Sequence, residues 1–322
     1  MSHEALQSAT LSRWLGVAAS ARGRGHVSKE QPCQDASAAV LSEGLSVVIT
    51  SDGAGSARLS DQGAEIAVRL TADLLSRSKP WDDLEALKSS ILNGCRTALE
   101  MRAGQIGAPA AELAATLSFV AIGGAWCVVG NLGDGLVAGF RNGSPSVLTA
   151  LAKGEFANET VFLTSRGARA RMELTRYPSD AFEAFAIMTD GAAESLYQRR
   201  SNTVAPAVGR MLHWLDENSP DVVEKALVDS ALPMLLARTR DDCSVGLLRR
   251  VSLQREQLAT RSREFQQRFL GIGNALGLRN RMAVLEHHLR GASMDEVIEA
   301  TGLSTRTVRR HREALSTYLP EV

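Results

Sequence analysis

Between residues 115 and 140 three apolar runs of strand length follow one another, ATLSFVAI, AWCVVGNL and LVAGF, parted only by Gly-Gly and Gly-Asp-Gly turns. Turns that tight join neighbouring strands head to tail, so this part of the chain is expected to be an antiparallel sheet. Similar runs occur upstream as WLGVAAS, ASAAVL and LSVVIT, around a polar loop at 22–34, and downstream as AFAIMTD and DCSVGLLR. Residues 60–77 and 82–103 read as helices, the first placing Ile66, Leu70 and Leu74 on one face that should lie on a sheet. Two more helical segments fill about 202–217 and 219–238, and 142–180 reads as irregular. Strands grouped with strands and helices with helices predict an α+β fold, an α-β-β-α sandwich of antiparallel sheets flanked by helices.

Four aspartates fall at the ends of these strand runs: Asp35 in QPCQDA, Asp52 in VVITSDGAG, Asp190 in AFAIMTDGAAE and Asp241 in RTRDDCSV. A carboxylate at a strand end projects from a rigid edge, and several together suit hard cations such as Mg²⁺ or Mn²⁺. Glycine after Asp52 and Asp190 allows close backbone approach and offers an unshielded carbonyl. Any single Asp-Gly pair is equally the signature of a turn. Turn chemistry does not, however, account for the apolar strand before the aspartate or for the GNLGDG and RDDCSV pieces.

In their order these pieces resemble the metal-dependent, type 2C family of serine/threonine protein phosphatases, in particular its bacterial branch. The resemblance spans residues 14–249: QPCQDA, SDGAGSA before a helix, AATLSFVAI with GNLGDG, MTDG, and DDCSV in the place of a terminal D-[DN]-x-[TS]-V. GEFANETVFLTS also resembles a stretch of one bacterial subgroup. The resemblance implies two Mn²⁺ or Mg²⁺ ions bridged by Asp52, with Asp35 and the Gly53 carbonyl completing one site and Asp190 and Asp241 the other. Asp134 would hold a third, weaker ion, and Asp241 rather than Asp242 would be the ligand of its pair. It further implies hydrolysis of phosphoserine or phosphothreonine by in-line attack of a metal-activated water, without a covalent intermediate. Such families often carry Glu just before the first aspartate and Arg five residues before it; here Gln34 and Glu30 stand there. The phosphate clamp is therefore unassigned, with His26, Arg24 and Lys29 in RGRGHVSKE as candidates and His26 also a candidate general acid.

Beyond residue 250 the composition changes. VSLQREQLATRSREFQQRF reads as a connecting helix and GIGNALG as a flexible joint, giving a phosphatase-like domain over 1–250, a linker over 251–276 and a small all-α domain over 277–322. There Met282, Leu285 and Leu289 share a face, SMDE is a capping box, and Gly302 separates two short helices, a helix-turn-helix pattern. EVIEATGLSTRTVRRHREAL resembles the DNA-reading helix pair of bacterial regulators, with Thr305, Arg306, Thr307, Arg309, Arg310 and His311 turned toward a groove. Residues 251–322 carry eleven Arg and no Lys against eight acidic residues. That balance admits DNA contact or protein docking, and dimerisation through a 253–270 helix would strengthen the former.

The whole chain has 36 basic and 36 acidic residues and so is not a polyanion binder overall. Its four cysteines, Cys33, Cys95, Cys127 and Cys243, form no C-x-x-C pair and read as free thiols. With no basic-then-apolar start and no apolar run long enough to span a bilayer, a cytoplasmic location is expected, with no membrane partner. The partners expected are a phosphorylated protein and the serine/threonine kinase that supplies it. The competing readings are a transcription regulator with a weakly catalytic, phosphatase-like sensor domain, and another metallohydrolase using the same ions.

Overall fold

The computed structural model describes residues 10–42, 44–77, 81–149 and 160–319. Two five-stranded antiparallel sheets make the centre. One has the order β1 (Leu11–Ala21), β12 (Cys243–Leu253), β9 (Ala184–Met188), β6 (Leu136–Arg141), β7 (Ser144–Val147). The other has the order β2 (Ala36–Ser42), β3 (Leu45–Ser51), β4 (Leu117–Gly123), β5 (Trp126–Leu132), β8 (Glu173–Pro178). A two-stranded ribbon, β10 (Tyr197–Gln198) and β11 (Thr203–Val204), forms a small sheet of its own.

Side-chain alternation along the strands explains why the sheets stack. Val48, Val120, Ile122, Val129, Val137, Phe185, Ile187 and Leu248 form one buried cluster between the sheets. Their neighbours Val47, Ile49, Phe119, Ala121 and Val128 point the other way, into a second cluster with the helices α1 (Ser60–Arg77) and α2 (Leu84–Ile106). Ala138, Ala186, Met188, Val245 and Leu247 point outward from the other sheet into a third cluster. That cluster is closed by α3 (Asp190–Leu196), α4 (Pro206–Glu217), α5 (Pro220–Ala226) and α6 (Leu232–Leu236), the last two joined by a π-helical turn at Leu227–Ala231. The α-β-β-α sandwich expected from the sequence is the architecture found. Strands so apolar on both faces are those of sheets covered on both sides.

Several expectations are corrected. The sheet-facing side of α1 is Ala64, Ala67, Val68, Thr71 and Leu75, all buried. Ile66, Leu70 and Leu74 are only partly buried, and Leu70 and Leu74 reach toward Gly94 of α2, so their face serves helix–helix packing. The stretch 142–180, expected to be irregular, contributes β7 and β8, both short and partly exposed at sheet edges. Of GEFANETVFLTS, residues 154–159 lie outside the described residues. The expected domain boundary at 250 falls inside β12, which pairs with β1 as far as Leu253. In place of one connecting helix there are two short ones, α7 (Arg255–Thr260) and α8 (Arg263–Phe269). Leu258, Phe265, Phe269 and Leu270 are buried in the same cluster as Leu11 and Leu15. The apolar face assigned to a flexible linker and a dimer contact is thus occupied within the chain.

Three further helices follow, α9 (Ala275–Leu289), α10 (Met294–Thr301) and α11 (Thr305–Ser316), packed together through Leu285, Val297, Val308 and Leu315. The SMDE capping box is present with both of its bonds, between Ser293 and Glu296. α10 ends on Gly302 at φ 65°, a left-handed position glycine adopts without steric cost. Among the described residues no helix is long and apolar enough to cross a membrane, and all four cysteines are free.

Candidate metal centre

The two sheets deliver their carboxylates to one end of the sandwich. Ala36 pairs with Ser51, so Asp35, entering β2, and Asp52, leaving β3, flank the same end of one hairpin. In the other sheet Met188 pairs with Val245, which sets Asp190, leaving β9, near Asp241, two residues before β12. Asp134 lies in the turn that carries the chain from β5 to β6, hence from one sheet to the other.

Cross-sheet bonds fix this arrangement. Asp35 Oδ2 accepts from Thr189 Oγ1 and from Ser244 Oγ, each at 2.8 Å. The backbone of Asp52 is held on both sides by Thr116, whose Oγ1 accepts from Asp52 N at 2.9 Å and whose N donates to Asp52 O at 2.8 Å. Asp52 lies near Asp35 of its own sheet and Asp190 of the other, close enough for the charge of each to act on it. Asp134 Oδ2 accepts from Thr160 Oγ1 at 2.7 Å. At Gly53, whose N donates to Gln34 O, a Cβ would meet that oxygen at 2.6 Å and Ser60 Cβ at 2.8 Å. Only glycine leaves the backbone that close.

Burial, opposed by the Thr189 and Ser244 bonds, pushes Asp35 up to about 7. Burial together with the charges of Asp134 and Asp241 pushes Asp190 up to about 6. Asp52 is raised well above the carboxylate range by burial and then by Asp35, Asp190 and Asp134. Among the described residues no Lys, Arg or His pairs with any of these five aspartates. Crowded carboxylates without a countercharge are the donor set for hard divalent cations. Asp134 Oδ1, buried and without a hydrogen-bond partner, fits the same description. No three acidic, His or Cys side chains among the described residues are preassembled as a ligand set.

Asp241 is exposed at the rim, its Oδ1 accepting from Asp242 N at 2.9 Å. Asp242 is buried and structural: its Oδ1 accepts from Gly23 N at 2.6 Å and lies 2.8 Å from His26 Nδ1, while Oδ2 accepts from Gln34 N at 2.5 Å. It clamps both ends of the loop that leads into Asp35. The phosphate-clamp candidates are not gathered here as free cations. His26 is buried against Asp242, Arg24 donates to the carbonyls of Ala237 and Thr239, and Lys29 is exposed. In the C-terminal unit Thr305, Arg306, Arg309 and Arg310 are exposed and Thr307 is half-buried, but His311 is only 1 % exposed. His311 Nδ1 accepts from Arg281 Nε at 3.2 Å, so it packs between α9 and α11 rather than facing a groove. The sequence reading missed Thr189, Ser244, Thr116 and Thr160 as supports of the carboxylates, although the first three stand inside the MTDG, DDCSV and AATL pieces.

Carboxylates gathered from two stacked sheets are the kind of donor set that a metal-dependent enzyme uses. The sequence matches the family described as protein phosphatase 2C over residues 22–231. The chain belongs to that family, and is a protein phosphatase. It is 29% identical over 187 residues to Serine/threonine-protein phosphatase 3 of Escherichia coli (strain K12), the match covering 55% of this chain and 73% of that protein. Among solved structures, the S. agalactiae serine/threonine phosphatase superposes with a TM-score of 0.51 at 15% identity, covering 74% of this chain and 99% of that one. The catalytic domain of the serine/threonine phosphatase PstP, in complex with two manganese ions, gives a TM-score of 0.50 at 16% identity over 75% of this chain and 99% of that one. At those identities the likeness is one of fold.

Proposed function

We propose that this chain removes phosphate from serine or threonine of a phosphorylated protein, using two Mn²⁺ or Mg²⁺ ions held by Asp35, Asp52, the Gly53 carbonyl, Asp190 and Asp241, with Asp134 toward a third. The observation that carries this is the gathering of Asp35 and Asp52 from one sheet with Asp190 from the other at one end of the sandwich, Asp52 near both. A carboxylate so placed can serve a ligand set on either side. When bound, the ions would lower the pKa of a water and offset charge on the phosphoryl oxygens. The protein's own contribution is rigidity. Thr189 and Ser244 aim Asp35, Thr116 fixes the backbone of Asp52, and Asp242 ties the loop before Asp35 to the strand after Asp241. The donor is a phosphoprotein, so a serine/threonine kinase must precede it.

Asp52→Asn and Asp190→Asn should each abolish Mn²⁺-stimulated hydrolysis of a phosphopeptide. Wild-type rates in both would overturn the assignment. One observation favours a second reading, a weakly catalytic sensor domain within a transcription regulator. Arg24 and His26 are both engaged elsewhere, leaving no free cation of the expected loop except exposed Lys29. Metal-dependent turnover of a generic phosphate ester separates the two. The C-terminal helices are, on either reading, a helix-turn-helix through which the enzyme docks on DNA or on a partner.

A further inference from the structure

The exposed side of α11 has a composition the phosphatase site does not use. Arg306, Arg309 and Arg310 stand at i, i+3 and i+4, opposite the buried Val308, His311, Ala314 and Leu315, and therefore share one solvent face. None of the three is in an ion pair among the described residues. Thr305 extends the face at the start of the helix, and Ser304 caps it by accepting from Thr307 N.

The helix is also held rigidly. Gly302, Leu303 and Ser304 make a three-residue turn between α10 and α11, the length that sets a reading helix across its partner. Arg312 Nη2 donates to the carbonyls of Ala292 and Ser293, tying α11 to the turn before α10. A basic stripe on a fixed helix can meet either an acidic protein or a nucleic acid. Protein interfaces are centred on exposed apolar or aromatic anchors. On α11 there is none, and the large exposed apolar residue of these three helices is Leu276, at the start of α9. The face offers arginines and hydroxyls, the donors that suit phosphates and guanine edges.

We infer that the Arg306, Arg309 and Arg310 face of α11 binds duplex DNA, with the arginines on the phosphate backbone or the major-groove edge; this deepens the docking role given above to the C-terminal helices. Read as the contact of a single module, this face is expected to give nonspecific affinity of about 10⁻⁶–10⁻⁴ M. Each phosphate contact contributes about −0.9 to the slope of log K against log salt.

The test is fluorescence anisotropy of a labelled random-sequence duplex titrated with the full chain in EDTA, across a salt series. Saturable binding that weakens with salt is expected. Combined Arg306→Ala, Arg309→Ala and Arg310→Ala should lower affinity at least tenfold and flatten the salt slope by up to about 2.7. Metal-dependent turnover and melting temperature should match wild type, since these side chains are exposed and remote from the carboxylates. Three results would each overturn the inference: no binding at about 50 mM salt up to roughly 100 µM protein, triple-variant affinity equal to wild type, or equal affinity for a single strand of the same sequence. The first would leave α11 to an acidic protein partner. None of these readouts involves turnover, so their failure leaves the metal-centre proposal where it stands.

Discussion

At the scale of residues, the carboxylate cluster depends on hydroxyls that carry no charge. Thr189 and Ser244 both donate to Asp35 Oδ2 and belong to the opposite sheet. Groups that orient a ligand without touching the ion typically change metal affinity by about 10–100-fold. Thr189→Val and Ser244→Ala should therefore raise the Mn²⁺ concentration for half-activation by about tenfold each, with turnover at saturating metal largely kept. A metal titration of phosphopeptide hydrolysis checks this, and unchanged half-activation would mean that the hydroxyls serve the fold alone. The aspartates were legible in the sequence because a carboxylate after an apolar run is a local signal. Their hydroxyl partners were not, because Thr189 and Asp35 are far apart in the chain and only sheet stacking brings them together. The same holds for His26, which the sequence offers as a free cation and the fold places 2.8 Å from a buried carboxylate.

At the scale of elements, close backbone contact decides what α1 tolerates. Gly63 faces the short 3₁₀ turn Ala110–Leu113, and a Cβ there would lie 2.1 Å from Leu113 O. Gly63→Ala cannot be accommodated by turning a side chain, because the obstacle is backbone. A loss of about 1–3 kcal/mol is expected for such overpacking, measurable by urea unfolding, even though alanine favours helix by about 1 kcal/mol over glycine at an exposed site. The C-terminal helices carry their own pH dependence. Burial, then the charges of Arg281 and Arg310, pushes His311 down to about 4, against an ordinary 6.5. Between those values the unfolded chain binds the extra proton and the folded chain does not. Stability from this site is thus complete above pH 6.5 and lost as pH falls toward 4. Limited proteolysis of the helices after residue 274 should accelerate from pH 7 to pH 5, and His311→Gln should blunt that change. The helices themselves were legible from periodicity and from the Ser293 and Gly302 boundaries. Which side of α11 the histidine takes was not, since Arg309, Arg310 and His311 are consecutive basic residue types.

At the scale of the whole molecule, one arginine joins the ends of the chain. Arg13 Nη1 donates to Phe269 O at 2.7 Å and to Tyr318 Oη at 2.9 Å, and its guanidinium lies 5.3 Å from the Tyr318 ring centre. Ser12 N donates to Tyr318 O at 2.6 Å, and Phe265, Phe269 and Tyr318 stack in sequence. Arg13→Ala should loosen the C-terminal helices from β1, lower the melting temperature by several degrees, as about 1–2 kcal/mol implies in a chain this size, and expose a protease site near 271–274. Phosphopeptide turnover should be nearly unchanged, because β1 bears none of the clustered aspartates. The sequence by itself determined the strands, the two-sided apolar patterning that makes them stack, and the aspartates at their ends. Each of these is written in residues close together in the chain, where periodicity and a strand's terminal residue are local properties. Only the tertiary structure decided that 251–270 is part of the core rather than a linker, that Asp242 is a clamp, and that Asp52 stands near Asp190 of the other sheet. Those outcomes depend on which distant surfaces meet, and an apolar residue such as Phe265 carries no mark of whether its partner is another chain or its own first strand.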